Sequence, residues 1–470
     1  MRSGVLLRSA TMGSRTGVSV LAAVLVVAGL GLVNRATLAE TTSARSPLHA
    51  AVVGLDQHGE RVVLAEGGLK RLVPGTRALD ERAADAQREW LSSGRVPGAG
   101  TRWESMVHDA LLDLHVLTVP VEPVESNESV ESSESSGSTD QREAAAVAGW
   151  AERWRYVWPR DAAFVAAAYA RSGHPADAEA VLAFLQRVQP ESGHLQARYV
   201  PDGSGEVPDR RGEEPDGPGW TLWSLAVLAD SLDDPGARRD LLTRLRPLLV
   251  RSTRACLELV AAGKGLPAAG LDYWEVPTRR ATLGVAAPTL AGLEAAARLL
   301  PLVDDETLAT SAAETARALD RKIARVFGTR GYPREVRGSA HDAALTFLMP
   351  PFRDAVPPAG LSAAWVAAQR QMRRPAGGLA PGSAWRQDGV SWTPETALFA
   401  LTAATTSQRR TAEQWLAWLD AHRTAGGALP EKVLADGSPA AVAPLAWTAA
   451  LVILTVDSLD QTASPRVTMG

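Results

Sequence analysis

The chain has almost no cysteine: Cys256 is its only one. A single thiol excludes a disulfide framework and any cysteine-built zinc or iron–sulfur centre. Histidine is scarce too, eight residues with no HExxH or related spacing, so no metal site is expected. No basic block stands out. The 49 Lys and Arg face 53 Asp and Glu, a net charge of −4, which argues against a nucleic-acid partner held through its phosphates. Glycine-rich phosphate loops are missing, as is any Ser or Cys nucleophile with a nearby His partner. Tyrosine and phenylalanine are also few, 5 and 6, against 14 tryptophans. An indole offers a broad flat face and one N–H donor, which suits either a core or a platform for sugar rings. At 470 residues, 46% apolar and 22% charged, the chain is long enough for one large or two to three ordinary domains.

The first residues carry a targeting pattern. Arg2, Arg8 and Arg15 precede the apolar run Val18 to Val33, and Thr37-Leu38-Ala39 offers small residues for cleavage. The run is short for a membrane span, which needs ~20 residues. A cleaved signal peptide and a retained anchor through residues 16–33 therefore both fit residues 1–39, and in both the rest of the chain is exported. Without a twin-arginine pair or a lipobox cysteine, the general secretory route fits best. Scarce cysteine is compatible with an oxidising exterior, to the cell envelope or the medium.

Residues 40–100 read as a tether with a small β-hairpin and a helix. The hairpin spans Ala50 to Gly68 around Asp56-Gln57-His58-Gly59, and the helix runs from about Ala78 to Leu91. Residues 124–141, VESNESVESSESSGSTDQ, have too few apolar groups to pack and read as a disordered acidic loop. From Ala144 to about Asp457 no strand pattern of any length appears. Two kinds of helix alternate instead. One is apolar nearly all round: Asp161–Ala170, Gly219–Ala229, Leu283–Leu300, His341–Met349, Thr393–Ala404 and Pro444–Val456. The other has one charged face: Thr101–Leu117, Pro175–Val188, Gly236–Ala262, Asp304–Phe327, Gly360–Arg373 and Gln408–Arg423. A helix apolar on every side must be surrounded, and one with a charged face lines the exterior. Six such hairpins closing on themselves predict an all-α (α/α)6 barrel over residues 101–460, its inner helices parallel. An open solenoid would need a fixed repeat period, which the varying hairpin lengths lack.

Polar and tryptophan-rich loops precede the inner helices: Trp154 to Asp161, Glu213 to Gly219, Asp272 to Glu275, Trp385 to Trp392, and Leu429 to Lys432. The loop at Tyr332 to Glu335 is the weak one. Parallel inner helices bring these loops to one mouth, where helix N-termini add partial positive charge. Acidic residues, arginines and tryptophans in a concave mouth are the kit for glycoside hydrolysis: paired carboxyls, groups gripping hydroxyls, and aromatic faces under sugar rings.

RYVWPRDAAF resembles the Y-x-W-x-R-D signature of the glucoamylase-type glycoside hydrolases, family 15. DYWEV is similar to that family's general-acid loop, and LPEKVLADGSPAAVAPLAWTAA to its base segment. The resemblance implies a six-hairpin barrel and an inverting exo-hydrolase that needs no cofactor. Its relatives release glucose from α-glucan non-reducing ends, and some act on trehalose or dextran-type chains. By position, Glu275 becomes the general acid and Glu431 the general base. Arg160 and Asp161 would hold hydroxyls, Trp158 and Trp274 would line the pocket, and Asp216 and Arg386 are further substrate contacts. The pattern departs where Val276 replaces a second Glu found in fungal forms. The expected partner is an oligo- or polysaccharide, with a monomer as the working unit. A non-catalytic surface carbohydrate-binding protein of the same fold is the rival reading, and a terpene-cyclase-like barrel fails for want of an aspartate-rich metal motif.

Blander roles compete at each position. Glu275 would serve as a helix cap and Asp161 as the N-cap of its helix. Trp150, Trp154 and Trp158, spaced by four, match a buried helical stripe; Trp158 is assigned to the pocket and the other two to packing. Arg334 and Glu335 are expected to be solvated, His341 satisfied, and Trp415 and Trp418 part of the core. Beside Tyr273 and Trp274, Glu275 has the more apolar local sequence and is expected to hold its proton, while Lys432 favours an ionised Glu431.

Overall fold

Proline placement begins the inner helices. In the computed structural model, which describes residues 47–50, 52–64, 72–122 and 142–463, Pro159, Pro218 and Pro394 stand in the first turns of helices Pro159–Arg171, Gly217–Asp230 and Thr393–Thr405. Proline's fixed φ suits that turn, and its missing N–H costs nothing there. These three helices, with Leu283–Leu299 and Ala446–Ala463, are the long inner ones. Every residue from Pro159 to Ala170 is buried. The outer helix Glu306–Val326 buries only Ala309, Ala312, Ala316, Leu319 and Ile323, one stripe at helical spacing.

Packing closes a ring. Helix 159–171 packs on 217–230, which packs on 283–299; the turn at 343–348 links that helix to 393–405, and 446–463 returns to 159–171. Outer helices Glu104–Leu117, Pro175–Val188, Arg246–Ala262, Glu306–Val326, Leu361–Met372 and Arg409–Ala421 pack around this ring. The architecture is an (α/α)6 barrel. Helices 217–230 and 283–299 approach so closely that a Cβ on Gly219 would lie 2.4 Å from the Pro288 carbonyl. The stretch Leu283–Val303 is long and apolar enough to cross a membrane, yet 83% of its most apolar window is buried inside this fold.

Three elements differ from expectation. The outer helix expected over Gly236–Ala262 is two, Pro235–Arg244 and Arg246–Ala262, broken at Leu245 where Pro247 enters the next first turn. The fourth inner helix is only a 3-10 turn, Ala343–Leu348, capped by Asp342 and stopped by Pro350-Pro351. The region expected to lack strands contains four: Glu143–Ala146, Ser391–Trp392, Lys432–Val433 and Pro439–Ala443. Each is too short to show an alternating pattern. The last three form a sheet that Leu48–Ala50 joins in parallel, with Leu48 opposite Ala441.

The N-terminal hairpin pairs Val52–Leu55 with Arg61–Leu64, and Asp56 Oδ1 accepts from the His58 and Glu60 N–H groups across its turn. The following helix is Glu81–Ser93, capped by Asp80. Strands Thr118–Val121 and Glu143–Ala146 pair on either side of the acidic stretch. The targeting segment 1–39 and the acidic loop 124–141 lie outside the described residues.

Candidate active site

At the N-terminal mouth of the inner helices lies a cavity of about 400 Å³. That size is within the roughly 300–1,000 Å³ of small-molecule sites. Its wall brings together Trp158, Arg160, Asp161, Trp274, Glu275 and Glu431 of the residues singled out from sequence. Asp216 and Arg386 are not in the wall. Asp216 is buried behind it, accepting from Arg160 Nη1 at 3.3 Å and from Trp220 Nε1 at 3.1 Å. Arg386 is exposed, its guanidinium 5.7 Å from the Trp385 ring centroid.

Arg160 serves three carboxyls. It contacts Glu214 at 3.0 Å, Asp216 at 3.3 Å and Asp161 at 3.4 Å, all buried. One guanidinium cannot neutralise three carboxylates without water. Burial pushes Asp161 up to about 7 and Asp216 up to about 6, with Arg160 pulling the other way, and it raises Glu214 as well. Burial thus favours the protonated forms across this cluster, and Arg160 opposes it. Asp161 is the third residue of its helix, whose N-cap is Trp158, so it does not cap.

Glu275 ends a tight turn. Its N–H donates to the Asp272 carbonyl at 2.6 Å, and its φ of 53° is left-handed, an uncommon state for a residue with a Cβ that tends to mark functional sites. The following inner helix starts at Leu283 after Thr282, too far along for Glu275 to cap it. Trp158 Nε1 donates to Glu275 Oε1 at 2.7 Å, and Arg211 pairs with Oε2. The side chain is 28% exposed, so the secluded apolar setting expected of it is not found. Beneath the turn, Arg334 grips Asp272 with two bonds of 2.7 Å, lies 3.5 Å from Asp342, and stacks 3.8 Å over the Trp274 ring. Arg334 is thus buried rather than solvated. Opposite, Gly382 admits the Trp274 ring, since a Cβ there would sit 2.5 Å from it.

Glu431 is held by its backbone on both sides: its N–H donates to the Val442 carbonyl at 2.8 Å and its carbonyl accepts from Thr393 N–H at 3.0 Å. The register Trp392 opposite Lys432 sets Trp392 beside it, with Lys432 Nζ 4.1 Å from that ring and 3.6 Å from Glu431 Oε2. Burial raises the Glu431 carboxyl above its ordinary range, while Lys432 and Trp154 pull it down and Glu275 adds to the rise. Lys432 does not outweigh burial, contrary to the sequence expectation.

Sequence reading missed several wall residues. Trp154, assigned to packing, lines the cavity at the end of a 3-10 turn, not on a helical stripe. Arg211 sits in a loop with no motif. Glu395 lines the wall two residues into helix 393–405; an acid within the otherwise apolar TPETALFALTAA was its available signal. Trp385, Trp392 and Trp447 complete the aromatic wall. His341 is satisfied by Gly331 and Gln371. Trp415 is buried and Trp418 partly so. Among the described residues no cluster could hold a metal ion.

The fold is a six-hairpin toroid shared with solved glycosidase and glucoamylase structures. A structure described as a wild-type glycosidase superposes with a TM-score of 0.58 at 20% identity, over 67% of this chain and 91% of its own. A bacterial glucoamylase complexed with acarbose gives 0.62 at 17%, over 82% of this chain and 59% of its own. A family 15 glucoamylase from Hypocrea jecorina gives 0.55 at 13%, over 68% of each. No family model matches the chain, and no curated protein matches its sequence.

Proposed function

We propose that the protein is a glycoside hydrolase that releases glucose from the non-reducing ends of α-glucans or α-glucosides with inversion. One observation carries this reading. Of the 18 buried side-chain polar atoms without a hydrogen-bond partner among the described residues, 8 belong to the wall of this one cavity, where Arg160 Nε and Asp161 Oδ1 lie 3.4 Å apart and Glu431 Oε2 lies 3.6 Å from Lys432 Nζ. They are the indole N–H groups of Trp274, Trp385, Trp392 and Trp447, with Arg160 Nε, Asp161 Oδ1, Glu395 Oε2 and Glu431 Oε2. Leaving such groups unpaired is costly, about 1–3 kcal/mol each, unless a ligand completes them. A sugar, whose hydroxyls both donate and accept and whose C–H faces pack on aromatic rings, answers this set of groups.

In the reaction, one carboxyl passes its proton to the leaving glycosidic oxygen as the bond from the anomeric carbon breaks. The other takes a proton from a water that attacks that carbon from the opposite face. The family resemblance supports Glu275 as acid and Glu431 as base. A second reading exchanges the roles, because Glu431 is the carboxyl whose burial favours the proton. Glucosyl fluoride decides between them, since fluoride leaves without protonation: the acid variant keeps turning it over and the base variant does not. A panel of maltose, isomaltose, trehalose, dextran and soluble starch, read as released glucose, tests the reading as a whole. Binding without turnover on every member would support the non-catalytic binder instead. Residues 1–39 support action outside the cytoplasm. N-terminal sequencing of envelope and medium fractions checks it, an intact N-terminus on cytosolic protein being the contrary result.

A further inference from the structure

Glu395 is the cavity carboxyl that neither the acid–base pair nor the Arg160 cluster uses. It is 3% exposed, lines the wall beside Trp392 and Pro394, and forms no ion pair among the described residues. Its own backbone N–H faces the carboxyl, while Oε2 has no partner. Acidic side chains are almost never fully buried without one. Nothing in the packing of helix 393–405 calls for a carboxyl there, since its neighbours Thr396, Ala397, Leu398 and Phe399 are buried and the helix is otherwise apolar or hydroxylated.

We propose that Glu395 is a specificity-determining residue that binds one hydroxyl of the sugar seated in this cavity. The proposal rests on the glycosidase reading and extends it to the choice of sugar. The groups facing Glu395 come from three other elements: Glu431 and Lys432 from the sheet loop, Arg160 from helix 159–171, and Tyr273 from the loop that carries Glu275. Burial, helped by Glu431, pushes its carboxyl up to about 8, with Arg160 and Lys432 opposing. At neutral pH it therefore carries a proton, and a carboxylic acid can donate to a hydroxyl oxygen. A site built to bond a hydroxyl rejects an analogue lacking it, because the buried group is then left unpaired. An ionised Glu395 loses the donor, so sugar binding weakens as pH rises through about 8.

The test uses the full chain, its Glu395→Ala and Glu395→Gln variants, and a set of monodeoxy α-glucosides missing one ring hydroxyl each. Glu395→Ala should raise KM about tenfold on the parent glucoside. It should leave KM unchanged on the single deoxy substrate whose missing hydroxyl it held. Glu395→Gln, which keeps a donor of the same shape, should recover part of the loss and remove the alkaline weakening. Equal losses on every deoxy substrate, or no loss on any, would overturn the proposal while leaving the hydrolase reading intact. A second arm needs no turnover. The infrared band of a protonated carboxyl that is present in wild type and missing in Glu395→Gln should shift when glucose is added at pH 7. If the wild type hydrolyses no glucoside, the function reading fails on that result, and an unmoved band overturns this proposal separately.

Discussion

The Glu275 loop and the Glu431 loop face one cavity from opposite constraints. Glu275 sits on a left-handed turn, 28% exposed, tied to a tryptophan and an arginine. Glu431 is 14% exposed, anchored through its backbone to two neighbouring segments, with one oxygen that has no hydrogen-bond partner and only Lys432 Nζ 3.6 Å away. The first is positioned by side chains, chiefly Arg334 under Asp272 and Trp274; the second by strand pairing. Two carboxyls with unlike surroundings are what a division into proton donor and proton acceptor requires. The difference also teaches that immediate sequence neighbours misjudge solvation. Glu275, next to two aromatics, is the wetter of the pair, and Glu431, next to a lysine, is the drier.

The largest test removes the carboxyls. Glu275→Gln and Glu431→Gln should each lower glucose release by ~10²-fold or more while sugar binding persists. Polarimetry or NMR should give the β-anomer from an α-linked substrate, and release of the α-anomer would show retention. Either variant running at the wild-type rate removes that residue from the pair.

Next in size is Arg334→Ala, which strips the support of the Glu275 loop and leaves Asp272 and Asp342 facing each other buried. Stability should fall by about 3–5 kcal/mol in denaturant unfolding, as for one partner taken from a buried pair. Wild-type stability would detach that network from the loop. Arg211→Ala, at the exposed rim, should cost little stability, about 0–1 kcal/mol. Because Arg211 pairs with Glu275 Oε2 inside the cavity wall, its loss should lower kcat/KM more than it lowers stability. An unchanged kcat/KM would detach Arg211 from the reaction.

The smallest effect concerns pH and melting. Glu431 has a raised folded-state pKa, so the folded protein binds its proton more readily than the unfolded chain. Its stabilising contribution is complete below the unfolded value of about 4.3 and is lost as pH rises through the folded one. Glu431→Gln should therefore raise Tm relative to wild type at pH 8 and leave it equal at pH 4. A gain that does not grow with pH would contradict the buried setting of Glu431.

The barrel itself was legible because its signal is carried by long segments. Five all-apolar helices and the amphipathic ones between them appear close to where periodicity puts them, except that the last inner helix runs on to Ala463 and the outer segment 236–262 is split at Leu245. The fourth inner helix did not follow, since Pro350-Pro351 cuts it short and the neighbours fill the place with a turn. The strands at 391–392 and 432–433 are two residues each, below the length at which any alternation can be read. Among site residues, Trp158, Arg160, Asp161, Trp274, Glu275 and Glu431 were found by their motifs. Arg211 and Arg334 were not, because each acts on a carboxyl more than 60 positions away.

By itself the amino-acid sequence determined the alternation of surrounded and half-exposed helices, hence the ring, and the gathering of acidic and tryptophan-bearing loops at one mouth. Those outcomes follow from hydrophobic periodicity and chain direction, which are local. Only the tertiary structure decided which carboxyls lie in the wall and how dry each one is. It put Asp216 and Arg386 outside, brought Glu395 and Trp154 in, and set Arg211 against Glu275. A carboxyl's proton affinity depends on the charges and the water within a few ångströms, and those come from segments that meet only when the ring closes.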